Sequence, residues 1–253
     1  MAPLTLSIVL PAYNEAERVA ATLDKVLQYA AQSDSNMEII VVDDGSTDDT
    51  AGIVRQYALR HPTVRLIENP SNRGKGFSVR NGMLQARGDI LLFSDADLSS
   101  PIAEAGKLVA AIQAGADVAI GSRWVRKELQ VKPQPVHRQF LGRMFNLALR
   151  VILGLNFRDT QCGFKAFCRS AADQVFSQQT IERWGFDPEL LYLARRAGLR
   201  IVEVPVLWAH REGTRIHPLR DGSWMLAELF KIRWNAMSGK YSHARAISQP
   251  SQT

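Results

Sequence analysis

Asp95-Ala96-Asp97 directly follows the apolar run Ile90-Leu91-Leu92-Phe93. Strand residues two apart face the same way, so extended backbone continuing through this triplet would aim both carboxylates at one spot. Two hard oxygen donors so placed suit Mg²⁺ or Mn²⁺, which bind through one or two carboxylates plus substrate phosphates. A second pair, Asp43-Asp44, ends another β-branched run and opens Asp43-Asp44-Gly45-Ser46-Thr47-Asp48. A turn in which Ser46 or Thr47 caps the next helix accounts for Gly45, Ser46 and Asp48. Two carboxylates at a buried strand end are costly if unpaired, and point instead to the donor groups of a base or ribose. Pro11-Ala12-Tyr13-Asn14-Glu15 closes the first run and sets beside a carboxylate a ring that either stacks on a base or simply packs. Asn72-Arg73-Gly74-Lys75-Gly76 has neither Walker A nor Gly-x-Gly-x-x-Gly spacing, which leaves a tight turn into a helix with Lys75 near an anionic ligand.

The elements that must position these residues are legible in the hydrophobic pattern. Strand-like runs at residues 5–10, 38–42, 64–68, 90–94 and 117–120 alternate with helical patterns at 15–31, 48–60, 76–86 and 101–114. That alternation predicts βαβ units and a parallel sheet with helices on both faces. Ligands of such sheets sit outside the carboxyl ends of the strands, where residues 11–15, 43–49 and 95–101 fall. The second half is less regular, with a Pro-punctuated basic stretch over 123–135 and then a helical pattern carrying two apolar stripes. One stripe holds Phe140, Met144, Leu147 and Val151, the next Leu141, Phe145, Ala148 and Ile152. Residues 188–197 read as a helix, and 200–208 as a strand that Pro205 consigns to an edge or bulge. Over 224–237, Ala227, Phe230, Trp234 and Met237 lie opposite Glu228, Lys231 and Asn235. Residues 242–253 read as a polar, disordered tail.

Composition excludes several classes. With 253 residues, 46% hydrophobic and 22% charged, the chain is neither a disordered tail nor a low-complexity repeat. Its two cysteines, Cys162 and Cys168, make no disulfide scaffold or zinc spacing and fit buried thiols in a cytoplasmic protein. His137, His210 and His217 are scattered without metal spacing. The first residues run straight into a strand pattern without a basic leader, and the apolar stretch 147–155 is broken by Arg150, so no spanning helix is expected. Residues 1–120 hold 10 Lys and Arg against 15 Asp and Glu, and the remainder 21 against 10, for a net charge of +6. An acidic half suits a cation or neutral polar ligand, and a basic half suits nucleic acid, anionic lipid or phosphate. A nucleic-acid-binding protein would explain the basic half and leaves the Asp-rich strand ends without a role. Arg123, Arg126, Lys127, Lys132, Arg138, Arg143 and Arg150 accompany the apolar stripes, so that segment is either a membrane-interface helix or a core helix.

The ordered set of motifs is more specific than its parts. PAYNE at 11–15, DDGSTD at 43–48, NRGKG at 72–76, DAD at 95–97 and GSRW at 121–124 are followed by RDTQCGFKAF at 158–167, WGFDPELLYLA at 184–194 and EVPVLW at 203–208. Together they resemble the family 2 glycosyltransferases of GT-A fold, closest to the dolichyl-phosphate β-glucosyltransferase branch and beside the polyprenyl-phosphate mannosyltransferases. The resemblance implies a mostly parallel α/β sheet with helices on both faces, C-terminal amphipathic helices, and one domain over 1–241 with a donor half (1–122) and an acceptor half (123–241). It implies donor binding by Pro11, Tyr13, Glu15, Asp43, Asp44, Lys75, Asp95 and Ala96, with Arg211 and Arg215 closing over the diphosphate. Mg²⁺ or Mn²⁺ would rest on Asp95 and Asp97, with Ser99 where the mannosyltransferase branch often has Gln. Arg123 and Arg138 would bind the acceptor phosphate, and Asp97 and Asp159 are the catalytic candidates.

The implied reaction moves glucose from UDP-glucose onto a polyprenyl phosphate of dolichyl or undecaprenyl type, with inversion, on the cytoplasmic face of a membrane and without a nucleic-acid partner. GDP-mannose as donor and a catalytically silent, lipid-binding relative are the alternatives. A phosphate monoester, with its second pKa near 6, is already an anionic nucleophile at neutral pH, so a strong base is not obligatory. Asp159 therefore has four open roles: base, acceptor orientation, sugar binding, or a structural pair with Arg158 or a turn cap. Asp187 either puts a carboxylate near the acceptor or caps its helix.

Overall fold

A computed structural model describes residues 5–33, 36–132, 136–209 and 218–241. Strands β1 (Thr5–Ala12), β2 (Asn36–Asp43), β3 (Val64–Glu68), β4 (Ile90–Ser94), β5 (Val118–Ser122), β7 (Phe164–Cys168) and β8 (Ile201–Pro205) form one sheet in the order β3-β2-β1-β4-β7-β5-β8. All neighbours pair parallel except β7, which runs antiparallel to both β4 and β5. Two short strands, β6 (Gln130–Lys132) and β9 (Trp208–Ala209), pair separately. Pro205 ends the edge strand β8, where its missing N–H disturbs no ladder.

Strand residues alternate between two cores. Ile39 and Val41 face a layer built with α1 (Val19–Ala31), α2 (Thr50–Arg60) and α4 (Ala105–Gln113). Ile40 and Val42 face a layer built with α3 (Lys75–Gln85), α5 (Val136–Leu153), α6 (Arg169–Gln178), α7 (Phe186–Arg196) and α8 (Pro218–Met237). Burial on both faces explains the unbroken apolar runs of β2 and β4. Among the described residues no helix is long and apolar enough to cross a membrane.

One helix boundary is corrected, one helix is added and the facing of two others is settled. Residues 15–18 form a turn before α1, closed by bonds from the Arg18 and Val19 N–H groups to the Glu15 carbonyl at 2.9 and 2.8 Å. Helix α6 was hidden in a polar segment whose helical face holds only Ala171, Ala172, Val175 and Phe176. On α8 the side turned to the core is Met225, Leu229, Ile232 and Asn235, while Phe230, Trp234 and Met237 face outward. The described members of the two α5 stripes divide, with Phe145, Ala148 and Ile152 packed on the core and Met144, Leu147 and Val151 exposed, while the side chains of Phe140 and Leu141 lie outside the described residues. The segment 242–253 lies outside the described residues.

Candidate functional site

The register Ala12↔Asp43 and Ser94↔Phe164 brings the carboxyl ends of β1, β2 and β4 and the amino end of β7 to one edge of the sheet. There the loops after β1 and β2 are tied together. The Asn14 N–H donates to Ser46 Oγ at 2.8 Å, the Thr47 N–H to Asn14 Oδ1 at 2.7 Å, and the Glu15 N–H to Thr50 Oγ1 at 2.7 Å. Ser46 and Thr47 thus join two loops instead of capping α2, whose first turn is held by Asp48 accepting from the Thr50 N–H at 3.1 Å. Tyr13 and Pro11 are half-buried on this edge.

Asp43 and Asp44 are both buried, and the chain supplies partners for each. Asp43 accepts from the Ser46 N–H at 3.0 Å and from its hydroxyl. Asp44 accepts from Asn69 Nδ2 at 2.8 Å and from the N–H groups of Arg73 and Gly74 at 3.1 and 2.8 Å. Asp44 therefore shapes the loop that delivers Lys75. Gly74 has φ +107, and a Cβ on it would lie 2.6 Å from the Glu182 carbonyl, while one on Gly76 would lie 2.7 Å from the Ile181 carbonyl. Both glycines let this loop press against residues 181–183.

Lys75 reaches inward and pairs with Asp95, its ammonium 5.8 Å from the rings of Trp184 and Phe186. Burial alone would lower the Lys75 pKa; the charges of Asp95, Asp187 and Asp97, with the hydrogen bond to Asp95, outweigh it and hold the group above the ordinary lysine value. β4 ends at Ser94, and the next residues turn, with the Leu98 N–H on the Asp95 carbonyl at 3.0 Å and Leu98 at φ +47. Strand parity is thus not what relates Asp95 to Asp97. The turn itself is anchored: Thr22 Oγ1 donates to the Ala96 carbonyl at 2.6 Å, and Asp97 Oδ1 accepts from the Ser99 N–H at 2.8 Å. Gly163 opens the space beside it, since a Cβ there would stand 2.4 to 2.6 Å from the Asp95 carboxylate.

Arg123 and Asp159 form a fork at the carboxyl end of β5. Nε to Oδ2 is 2.6 Å, Nη2 to Oδ1 is 2.8 Å, and the Arg123 N–H adds a third bond at 3.0 Å. Asp159 thus pairs with Arg123 and not with its neighbour Arg158. Burial would raise the Asp159 pKa, but the charge and hydrogen bonds of Arg123 outweigh it and hold the carboxyl below the ordinary value. The guanidinium carbon lies 5.4 Å from the centre of the Trp208 ring. Cys162, between the two pairs, has its thiol pushed up to about 12 by burial and the Asp159 charge, so it is no nucleophile at neutral pH. Cys168 is also a free thiol.

A third pair escaped the sequence. Lys165 and Asp187 are both buried, and Lys165 Nζ also donates to the Cys162 carbonyl at 2.6 Å. Asp187 does not cap α7 with its side chain. Burial raises its pKa, against the charges of Lys165 and Lys75. The available signal was a lone lysine in Phe164-Lys165-Ala166-Phe167, since a charge in a strand covered on both faces requires a partner. Arg138 falls on α5 with its side chain outside the described residues, as are Arg211 and Arg215 altogether.

Asp95 and Asp97 supply hard carboxylate oxygens, which fits Mg²⁺ or Mn²⁺ completed by phosphate and water. No group of three or more His, Cys, Asp or Glu side chains that could hold a metal occurs among the described residues. The site offers two acidic donors, one lysine and one arginine fork at the carboxyl edge of the sheet. This arrangement suits binding of two phosphorylated ligands and neutralisation of a leaving diphosphate.

Comparison with known proteins shows the family and the fold. The family model described as glycosyl transferase family 2 matches residues 7–176. A dolichyl-phosphate beta-glucosyltransferase of Trichomonas vaginalis is 39% identical over 212 residues, covering 80% of this chain and 63% of the relative. The enzyme of that name from Drosophila melanogaster is 38% identical over 242 residues, covering 90% and 74%. This chain therefore spans less than two thirds of the first relative's length. Glucosyl-3-phosphoglycerate synthase from Mycobacterium tuberculosis, solved with Mn²⁺, UDP and glucosyl-3-phosphoglycerate, shares the fold with a TM-score of 0.65 at 24% identity, over 91% of this chain and 79% of that one.

Proposed function

This chain belongs to glycosyl transferase family 2 and has the GT-A fold, and on that premise we propose that it transfers glucose from UDP-glucose to a polyprenyl phosphate with inversion. The observation that carries the reading is the identity of 38% to a dolichyl-phosphate beta-glucosyltransferase across 90% of the chain. Residues 1–122 form the donor half and 123–241 the acceptor half. Both belong to one domain, in keeping with β7 and β8 of the second half completing the sheet of the first.

The loops after β1 and β2, with Pro11, Tyr13, Glu15, Asp43 and Asp44, hold the nucleoside. Asp95 and Asp97 would hold Mg²⁺ or Mn²⁺, which when bound supplies positive charge to the leaving diphosphate. Lys75 brings a cation of its own to the same place, with Ala96 between the two carboxylates, and Arg211 and Arg215 add to it from the segment after β9. Arg123 and Arg138 take the acceptor phosphate. Asp159 acts by fixing the Arg123 guanidinium. A carboxyl held below its ordinary pKa and doubly bonded to arginine is a poor base, and an anionic phosphate nucleophile does not need one. The protein works peripherally at the cytoplasmic face of a membrane, in keeping with its two free cysteines.

The test is transfer of labelled sugar into the lipid phase from UDP-glucose, GDP-mannose or UDP-N-acetylglucosamine, each with polyprenyl phosphate in detergent and with Mg²⁺, Mn²⁺ or chelator. Label from UDP-glucose alone, lost with chelator, is the expected result. Label from GDP-mannose alone would replace the glucosyl reading with the mannosyl one, and activity undiminished by chelator would remove the metal.

A further inference from the structure

Helices α5 and α8 pack side by side, and each leaves an apolar stripe uncovered. On α5 these are Met144, Leu147 and Val151, exposed by 52, 55 and 77%. On α8, Trp224, Phe230, Trp234 and Met237 are exposed by 63 to 70%. Seven large apolar side chains outside the core of one helix pair are far more than scattered surface residues, and contiguous apolar surface marks an interaction face.

We propose that this face of α5 and α8 lies in the interface of a bilayer bearing anionic lipid. The choice of lipid as occupant rests on the proposed polyprenyl acceptor, and charge supports it independently. The 18 residues of α5 include no Asp or Glu, and Arg150 is exposed among the apolar ones. On α8, Lys231 and Arg233 flank the exposed rings. Glu228 points away from them, accepting from the Gly185 N–H at 2.8 Å. Tryptophan and phenylalanine bordered by lysine and arginine is the composition of a helix lying in the headgroup layer. A second copy of this chain placed on this face would bring the cations Arg150, Lys231 and Arg233 of the two copies together, with no acidic side chain among the described residues of this face to receive them. The opposite side of α8 is tied through Gly185 to the loop carrying Trp184, beside Lys75, so a membrane-seated α8 holds Lys75 and its partners on the side of the molecule next to the lipid surface.

Flotation with phosphatidylcholine vesicles, with and without phosphatidylserine, tests this without donor or acceptor. The protein is expected to float with phosphatidylserine vesicles and to release as salt is added. Phe230→Ser/Trp234→Ser should bind about a hundredfold more weakly, about tenfold per ring. Lys231→Gln and Arg233→Gln should each cost about fivefold, on anionic vesicles only. Transfer to a short, water-soluble prenyl phosphate should be unchanged in all of them, which also shows that they fold. Quenching of wild-type tryptophan fluorescence by brominated lipid gives a readout free of substitution. A wild-type protein that stays with the bottom fraction and is not quenched overturns the inference. So does a Phe230→Ser/Trp234→Ser protein that floats equally well, or a wild-type dimer that this pair of substitutions splits. Flotation that depends on Phe230 and Trp234 in a protein that transfers no sugar sustains the membrane face and removes the catalytic reading alone.

Discussion

Asp159→Asn preserves the volume of a side chain that is 2% exposed and removes the charge opposite Arg123, itself 16% exposed. Removing one partner of a buried ion pair costs about 3 to 5 kcal/mol, because the other charge is left without compensation. The slight exposure of Arg123 and the hydrogen bond that asparagine can still accept place the expected loss near the lower figure, about 3 kcal/mol. Urea denaturation of wild type, Asp159→Asn, Arg123→Gln and the double variant should give a coupling of about 2 kcal/mol, since the second substitution removes the uncompensated charge left by the first. The Asp159 carboxyl has a lowered folded-state pKa, so its contribution is complete above the unfolded value of 3.8 and is lost as pH falls through the lower folded value. The gap between wild type and Asp159→Asn should therefore stay constant from neutral pH down to that range and close below it. A coupling under about 0.5 kcal/mol, or a gap undiminished in acid, would refute the assignment of Asp159 as the residue that holds Arg123.

Lys165→Met strands the Asp187 carboxyl in the core and should lower stability by about 3 kcal/mol in thermal denaturation, whereas Lys165→Met/Asp187→Leu should recover most of it. Equal losses in the single and double variants would show that the pair does not act as a unit. Gly163→Ala forces the Asp95 carboxylate from its place, because the new methyl would stand 2.4 Å from it. Transfer should drop by about a hundredfold while the thermal midpoint moves far less, and unimpaired transfer would separate Asp95 from the site. Lys75→Gln should weaken UDP binding by about tenfold or more in calorimetry, the loss of one charge-assisted contact; unchanged affinity would leave Lys75 with a structural role.

The strands were legible because both faces of the sheet are covered, so each strand is a short apolar run bounded by turn residues. β3 and β4 have the predicted bounds. The antiparallel β7 could not be placed from its own residues, since periodicity says nothing of direction. It follows a long excursion through α5 and slips between β4 and β5. α6 was missed because only four of its ten residues are buried and the rest are polar. The sequence left the orientation of α8 open for a physical reason: its more apolar face is the outer one, and Asn235 is buried because Tyr241 and Thr180 give it hydrogen-bond partners. An apolar moment identifies a core helix only when the core is its sole apolar neighbour.

For the site, sequence marked most of the charged residues and few of their partners. Asp95, Lys75, Asp159 and Arg123 were each singled out, yet nothing in their spacing joins residue 75 to 95 or 123 to 159; the crossover connections of the sheet do. Lys75 is held by Asp95, Arg123 by Asp159, and Lys165 by Asp187, all at or near the carboxyl edge of the sheet. Of the three, Lys165–Asp187 is buried on both sides, Arg123–Asp159 nearly so, and Lys75–Asp95 is partly exposed; buried pairs are a costly way to stabilise a fold, since apolar side chains of similar volume commonly do as well. On the proposed function their value would lie in preorganisation, because cations fixed by the protein need not be reoriented when phosphate charge develops beside them. Asp95 and Asp159 would then act as counter-ions, and each of the two cations they hold could share its charge with an arriving phosphate. Substituting an arginine fork by lysine distinguishes this from simple charge balance. Arg123→Lys keeps the net charge and one contact to Asp159 but loses the planar fork. Acceptor KM should rise by about tenfold or more with donor affinity unchanged, and an unaltered KM would mean that only the charge at residue 123 matters.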